Sequence, residues 1–265
     1  MIKVEGIAVT PGNFPDGTLA VKFDPNQIDK DTREIWIEWI YENDAELFTL
    51  ICIKRHLERH FYDTGYFLTL PYIPHARMDR VKKEEDVFTL KYFCEVINSL
   101  HFSGVYVYDA HSNVSLALLE NVIQEPVEEY IQKAIEASKA EVLFFPDEGA
   151  MKRYSDMATL PFAFGMKKRD WSTGQILGLD LMGAENIVGK KVLIVDDICS
   201  YGGTFARAAK VLHEAGAAAV YLYVTHCEDN IHKGDIFKDG IIDCVYTTNS
   251  IYTGKNDNTG GVVVL

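Results

Sequence analysis

The stretch Lys191-Val192-Leu193-Ile194-Val195-Asp196-Asp197-Ile198-Cys199-Ser200-Tyr201-Gly202-Gly203-Thr204 reads as a buried strand, two carboxylates, a glycine-rich turn and the opening of a helix. The apolar run is short and rich in β-branched residues, as in a strand covered on both faces. Beyond the turn, Phe205, Ala208, Val211 and Leu212 recur at helical spacing, and Gly216 closes the stripe. In α/β sheets ligands gather at the carboxyl ends of strands. The backbone N–H groups of such a turn, with the helix N-terminus behind them, can hold a phosphate. Paired carboxylates can accept hydrogen bonds from the vicinal hydroxyls of a ribose, or contact a divalent cation through water.

Working outward, the helix-then-strand order repeats. Leu47, Leu50, Ile51 and Leu57 mark a helix that runs into an apolar strand at 66–70. Leu90, Phe93, Cys94, Ile97 and Leu100 mark a second helix, Gly104 follows it, and a strand is expected at 105–108. Further short β-rich runs lie at 141–145 and 220–224. Strands alternating with helices predict an α/β protein built on mostly parallel sheets with helices on both faces. The acidic, proline-containing stretch from Ile123 to Glu129 is the best candidate for a junction, so we expect domains at 1–127 and 128–265.

With 265 residues the chain can bury one large core or two smaller ones. Its 26 Lys and Arg against 39 Asp and Glu leave a net charge of −13, which argues against nonspecific binding to nucleic acid or anionic lipid. Anions must therefore be gripped locally. Cys52, Cys94, Cys199, Cys227 and Cys244 are widely spaced and form no CxxC pair, so neither a zinc ribbon nor a disulfide framework is expected. The N-terminal segment has no basic start followed by an apolar stretch, and no apolar run is long enough to span a bilayer. These features point to a cytoplasmic protein. His56 and His60 stand four apart on the first helix, a zinc-compatible spacing, but no third ligand is evident and a solvated helix face is the expected reading.

The segment VLIVDDICSYGGT resembles the phosphoribosyl diphosphate (PRPP) site of type I phosphoribosyltransferases and of ribose-phosphate diphosphokinases, the PRPP synthetases. Further segments separate the two groups. Leu70 to Arg80, LPYIPHARMDR, is similar to the synthetases' PYxxYARQDR. Tyr108 to Ser112, YDAHS, is similar to their DLHA or DPHS. Phe145 to Arg153, FPDEGAMKR, is similar to their SPDxGxxKR, and Asn13 to Gly17, NFPDG, to their FxDGE. Thr225-His226 matches their TH after the last core strand. These segments occur in family order over nearly the whole chain.

The resemblance implies two phosphoribosyltransferase-like domains, an N-terminal one on the ATP side and a C-terminal one with the ribose-phosphate loop. It assigns Asp196, Asp197, Ser200, Tyr201, Gly202, Gly203 and Thr204 to the ribose phosphate. Phe14, Asp16, Arg77, Met78, Asp79 and His111 fall on the ATP side. His111 and Asp147 are assigned to the Mg²⁺ that accompanies ATP. Lys167 and Arg169 match the Lys-x-Arg pair that closes over the transferring group, and with His111 they form the expected catalytic set. The implied reaction moves the β,γ-diphosphoryl group of Mg·ATP to the anomeric hydroxyl of ribose 5-phosphate, giving PRPP and AMP in a homo-oligomer.

Ser200 stands where the family commonly has an acid, Tyr201 where it has a small hydroxyl residue, Met78 where it has glutamine and Thr18 where it has glutamate. The altered turn leaves open a larger ribosyl acceptor such as ADP-ribose. The signature at 196–204 also permits a PRPP-consuming phosphoribosyltransferase, and an inactive synthetase-like regulatory subunit stays open beside it.

Overall fold

The computed structural model describes residues 1–169, 176–254 and 261–265, with backbone alone at 167–169 and 176–179. The chain divides into two compact units, Met1–Glu125 and Pro126–Leu265.

The first unit runs β1 (Ile2–Val4), β2 (Ile7–Val9), β3 (Gly12–Asn13), β4 (Leu19–Ala20), β5 (Glu34–Trp39), α1 (Ala45–Glu58), β6 (Gly65–Thr69), α2 (Thr89–Asn98), β7 (Gly104–Tyr108), α3 (Asn113–Leu118) and β8 (Val122–Glu125). Its six-stranded sheet has the order β2-β1-β5-β6-β7-β8, with β5 to β8 parallel and β1 antiparallel to both neighbours. Strand β5 alternates strictly: Ile35, Ile37 and Trp39 are fully buried, whereas Glu34 and Trp36 are exposed. The connections β5–α1–β6, β6–α2–β7 and β7–α3–β8 all step the same way across the sheet, so right-handed crossovers place their helices on one face. Leu50, Ile53 and Leu57 of α1 and Phe93 and Ile97 of α2 accordingly share a core with Ile35, Ile37, Leu68 and Val107. Gly104 does not end the second helix, which stops at Asn98. It opens β7, where the rings of Phe67 and Tyr106 pack against its backbone.

The second unit runs α4 (Glu128–Ser138), β9 (Val142–Phe145), α5 (Glu148–Tyr154), β10 (Phe162–Arg169), β11 (Ile176–Met182), β12 (Lys191–Cys199), α6 (Gly203–Glu214), β13 (Ala219–Cys227), β14 (Cys244–Thr247) and β15 (Val262–Val264). The sheet order is β11-β10-β9-β12-β13-β14-β15, parallel except for the β10–β11 pair. From β9 the chain steps outward through α5 to β10. From β12 it steps the opposite way through α6 to β13, so α5 and α6 lie on opposite faces. The strand order reverses between β9 and β12, and such a reversal opens a crevice at the strands' carboxyl ends.

Strand β12 is longer than its apolar run. Pairing with β13 continues through Asp196↔Val224 and Ile198↔His226 to Cys199↔Cys227, which brings both carboxylates inside the ladder. Likewise Thr225-His226 belongs to β13 itself, and β14 and β15 follow it in the sheet. Among the described residues no helix is long and apolar enough to cross a membrane.

Candidate functional site

The reversal point of the second unit assembles the most specific feature of the sequence. Burial of Val192 to Val195 on both faces anchors β12, and Asp196 and Asp197 emerge at its carboxyl half. The Asp197 amide donates to Asp196 Oδ1 at 3.0 Å, which orients the first carboxylate. Asp197 is only 6% exposed. Its Oδ2 accepts a hydrogen bond at 3.3 Å from Nη1 of Arg153, which lies in the last turn of α5. The pair joins the helix after β9 to the strand beside it.

The turn beyond β12 is held from below by residues much later in the chain. Gly202 has φ +75°, and a Cβ there would come within 2.7 Å of the Ile236 side chain, so both conformation and space require glycine. A Cβ on Gly234 would overlap the Tyr201 carbonyl oxygen, so that segment can cross the turn only as glycine. The Glu228 amide donates to the Cys199 carbonyl at 2.8 Å, and Ser200 Oγ donates to Glu228 Oε2 at 2.6 Å. The Ser200 hydroxyl proton is therefore committed to a carboxylate, and Ser200 can donate to a further group only through its backbone N–H. Gly202 caps α6, whose first turn carries no acid. Thr204 is exposed there, and its Oγ1 accepts from Arg207 Nη2 at 3.4 Å. Tyr201 is 55% exposed. Cys199 and Cys227, distant in sequence, are register partners below the turn. Hydrogen bonding to Cys199, together with burial, pushes the Cys227 thiol far above its ordinary range.

Asp147 begins α5 as its N-cap: its Oδ1 accepts from the Gly149 and Ala150 amides at 3.0 and 3.1 Å. Lys167 and Arg169 occupy the end of β10, in register with Leu179 and Ile176 of β11 and with a register shift between Lys168 and Arg169. Their side chains, and residues 170–175, lie outside the described residues.

In the first unit, the loops after β6 and β7 meet. Asp79 accepts from Ser112 Oγ at 2.8 Å and from Arg80 Nε and Nη2 at 2.6 and 2.7 Å. The Arg80 guanidinium and the Ser112 hydroxyl hold the Asp79 carboxyl well below its ordinary value despite partial burial. Ser112 also caps α3, next to the exposed His111. Arg77 and Met78 are exposed on the same loop, behind His75, whose φ is +63°. Phe14, 57% exposed, and Asp16 sit on the turn of the β3–β4 hairpin. Hydrogen bonds from the Thr18 hydroxyl and amide fix Asp16 Oδ1 and lower its pKa.

Among the described residues no three His, Cys, Asp or Glu side chains gather to hold an ion. His56 departs from a solvated helix face: it is half-buried, with Nε2 3.1 Å from the Phe23 carbonyl, and its ring lies 4.7 Å from that of His60.

Arg153, Arg207 and Glu228 join this site without a role that the sequence motifs give them. Arg153 ends the FPDEGAMKR segment, yet nothing local indicates that it reaches Asp197. Arg207 lies one turn into a helix whose start is legible, so helical spacing alone places it over that start. Glu228 carries no local signal.

Residues 130–251 match the family described as phosphoribosyl transferase domain. A ribose-phosphate pyrophosphokinase of Pyrococcus furiosus is 28% identical over 223 residues, covering 80% of this chain and 75% of that protein. One from Mycoplasma pneumoniae is 28% identical over 94% of this chain and 78% of its own length. One from Cereibacter sphaeroides reaches 31% over 73% and 64%. The fold is that of the phosphoribosylpyrophosphate synthetase of Mycobacterium smegmatis, with a TM-score of 0.76 at 20% identity over 97% of this chain and 85% of that one. Motif order, fold and sequence similarity agree: the chain is similar to the ribose-phosphate pyrophosphokinases over most of its length, carries a phosphoribosyl transferase domain and has the fold of a phosphoribosylpyrophosphate synthetase.

Proposed function

We propose that this chain transfers the β,γ-diphosphoryl group of Mg·ATP to the anomeric hydroxyl of ribose 5-phosphate, forming PRPP and releasing AMP. The observation that carries this reading is the Asp196–Asp197 pair placed at the sheet reversal, separated by four residues from the glycines that open α6. In this reading Asp196 and Asp197 accept hydrogen bonds from the ribose hydroxyls. The backbone of Ser200 to Thr204 and the α6 N-terminus receive the 5′-phosphate, with the Arg207 guanidinium beside them. The loops carrying Phe14, Asp16, Arg77, Met78, Asp79 and His111 take ATP. Phosphoryl transfer asks the protein mainly for alignment and charge neutralisation, a task assigned to Lys167 and Arg169.

A magnesium ion held largely by triphosphate oxygens needs only one or two protein ligands, which suits a chain without a dedicated ligand cluster among its described residues. When bound it screens the phosphate charges. Asp147, whose Oδ1 caps α5, and His111 are each a candidate ligand for it.

Phosphorus NMR of the protein with Mg·ATP and ribose 5-phosphate should show AMP and PRPP appearing together. Absence of AMP with every ribosyl acceptor would sink the reading. Lys167→Ala should lower turnover roughly 10²- to 10³-fold, the scale of one lost transition-state donor, with ATP affinity little changed.

A second reading keeps the chemistry and enlarges the acceptor to a compound such as ADP-ribose. The exposed Tyr201 ring and the commitment of Ser200 to Glu228 favour it, since the turn offers an aromatic surface and one hydroxyl donor fewer to a terminal phosphate. Rates of AMP release with the two acceptors decide between them.

A further inference from the structure

We infer that Arg153 is a positioning residue for the acceptor site: its guanidinium fixes the Asp197 carboxylate in the orientation in which it meets a vicinal diol. This rests on the proposed function and goes beyond it, because diphosphoryl transfer by the residues of that reading does not require Arg153 to act on the sugar's partner. Asp197 lies within the parallel ladder and is almost fully buried. A carboxylate in that setting must be paired if it is to stay ionised. Arg153 Nη1 lies 3.3 Å from Asp197 Oδ2, the acid's side chain being 8% exposed and the arginine's 29%.

The geometry has a clear origin. Asp147 caps α5, so the helix begins at a fixed point just past β9. One and a half turns later Arg153 projects from its last turn, where a cation is favoured by the helix dipole. Helix α5 lies across the sheet reversal from the path of α6, and from there the guanidinium reaches β12. The guanidinium carbon also lies 5.8 Å from the centroid of the neighbouring Tyr154 ring. The side chain is thus held by a ring as well as by its counter-charge. An ionised carboxylate fixed in this way is a better acceptor for two sugar hydroxyls than a mobile one, because its orientation is settled before the sugar arrives.

The test measures calorimetric binding of ribose 5-phosphate to the full-length protein and to Arg153→Met and Arg153→Lys, followed by steady-state kinetics with Mg·ATP. Arg153→Met should weaken ribose 5-phosphate binding about tenfold or more, the usual consequence of removing a charged hydrogen-bond partner. It should raise the acceptor KM by a similar factor and leave the ATP KM within about twofold. Arg153→Lys should recover part of the loss, since it restores charge without the fork, and it also serves as the reporter if the methionine variant fails to fold. Acceptor binding unchanged in the variants would overturn the proposal alone, as would equal loss of both KM values accompanied by a lower melting temperature. If wild-type protein binds no ribose 5-phosphate, the functional reading falls and this inference with it.

Discussion

Gly202 and Gly203 adjoin in sequence yet carry different constraints. The first has positive φ and the Ile236 side chain against its α-carbon, whereas an added Cβ at the second would meet only Arg207 Nη1, at 3.7 Å. Gly202→Ala should therefore cost about 1–3 kcal/mol through strain and overpacking. Gly203→Ala should be close to neutral. Urea denaturation of the two variants checks the contrast, and equal costs would contradict the account of how Ile236 shapes the turn. The same scale explains Ser200. Its hydroxyl is spent on Glu228, so it braces the turn and contributes only its amide to any ligand.

Helix α5 is seven residues long and too short to persist by its own propensity. The Asp147 cap, the burial of Ala150 and Tyr154 and the pairing of Arg153 hold it in place. Asp147→Ala should cost about 1 kcal/mol, as cap removals do, whereas Asp147→Ser and Asp147→Asn should keep most of the stability. If Asp147 also contacts the cation carried by ATP, Asp147→Asn will melt near wild type while turnover falls. Thermal melts paired with an AMP-release assay separate the two roles. The β10–β11 ladder illustrates another case, a stretch whose place is set by backbone pairing and not by a legible side-chain pattern. Lys167, Lys168 and Arg169 show no strand period, yet they pair in order with Leu179, Gly178 and Ile176.

Across the whole molecule the charge is −13, and several acids are stabilised in their ionised form. Burial pushes the Glu58 carboxyl up, but Lys54 Nζ at 2.6 Å and Arg55 Nη1 at 3.0 Å pull it below its ordinary value. Asp79 is lowered by Arg80 and Ser112. A carboxyl whose folded pKa is depressed contributes stability that is fully present above its unfolded pKa and is lost as pH falls through the folded one. Stability should thus drop as acid carries the protein below the ordinary Glu and Asp values of 4.5 and 3.8. Glu58→Gln leaves the buried Lys54, 1% exposed, without its counter-charge. It should cost about 2 kcal/mol near pH 7. That gap should narrow at acid pH, where the wild-type Glu58 is itself protonated. A cost that persists undiminished in acid would show that the charge pair is not its source.

Sequence alone determined the features that are local in the chain. The VLIV run specifies a buried strand, Gly202-Gly203 a turn with positive φ, and the Phe205 to Leu212 stripe the helix behind it, because each signal lies within a few residues of the structure it dictates. Tertiary structure decided whatever depends on partners far along the chain. Asp197 meets Arg153 across 44 residues and Ser200 meets Glu228 across 28, while β12 extends past its apolar run because β13 offers hydrogen bonds as far as Cys227. Side-chain periodicity reports which face is buried. Which donor finds which acceptor is settled only when the sheet order sets strands from distant segments side by side.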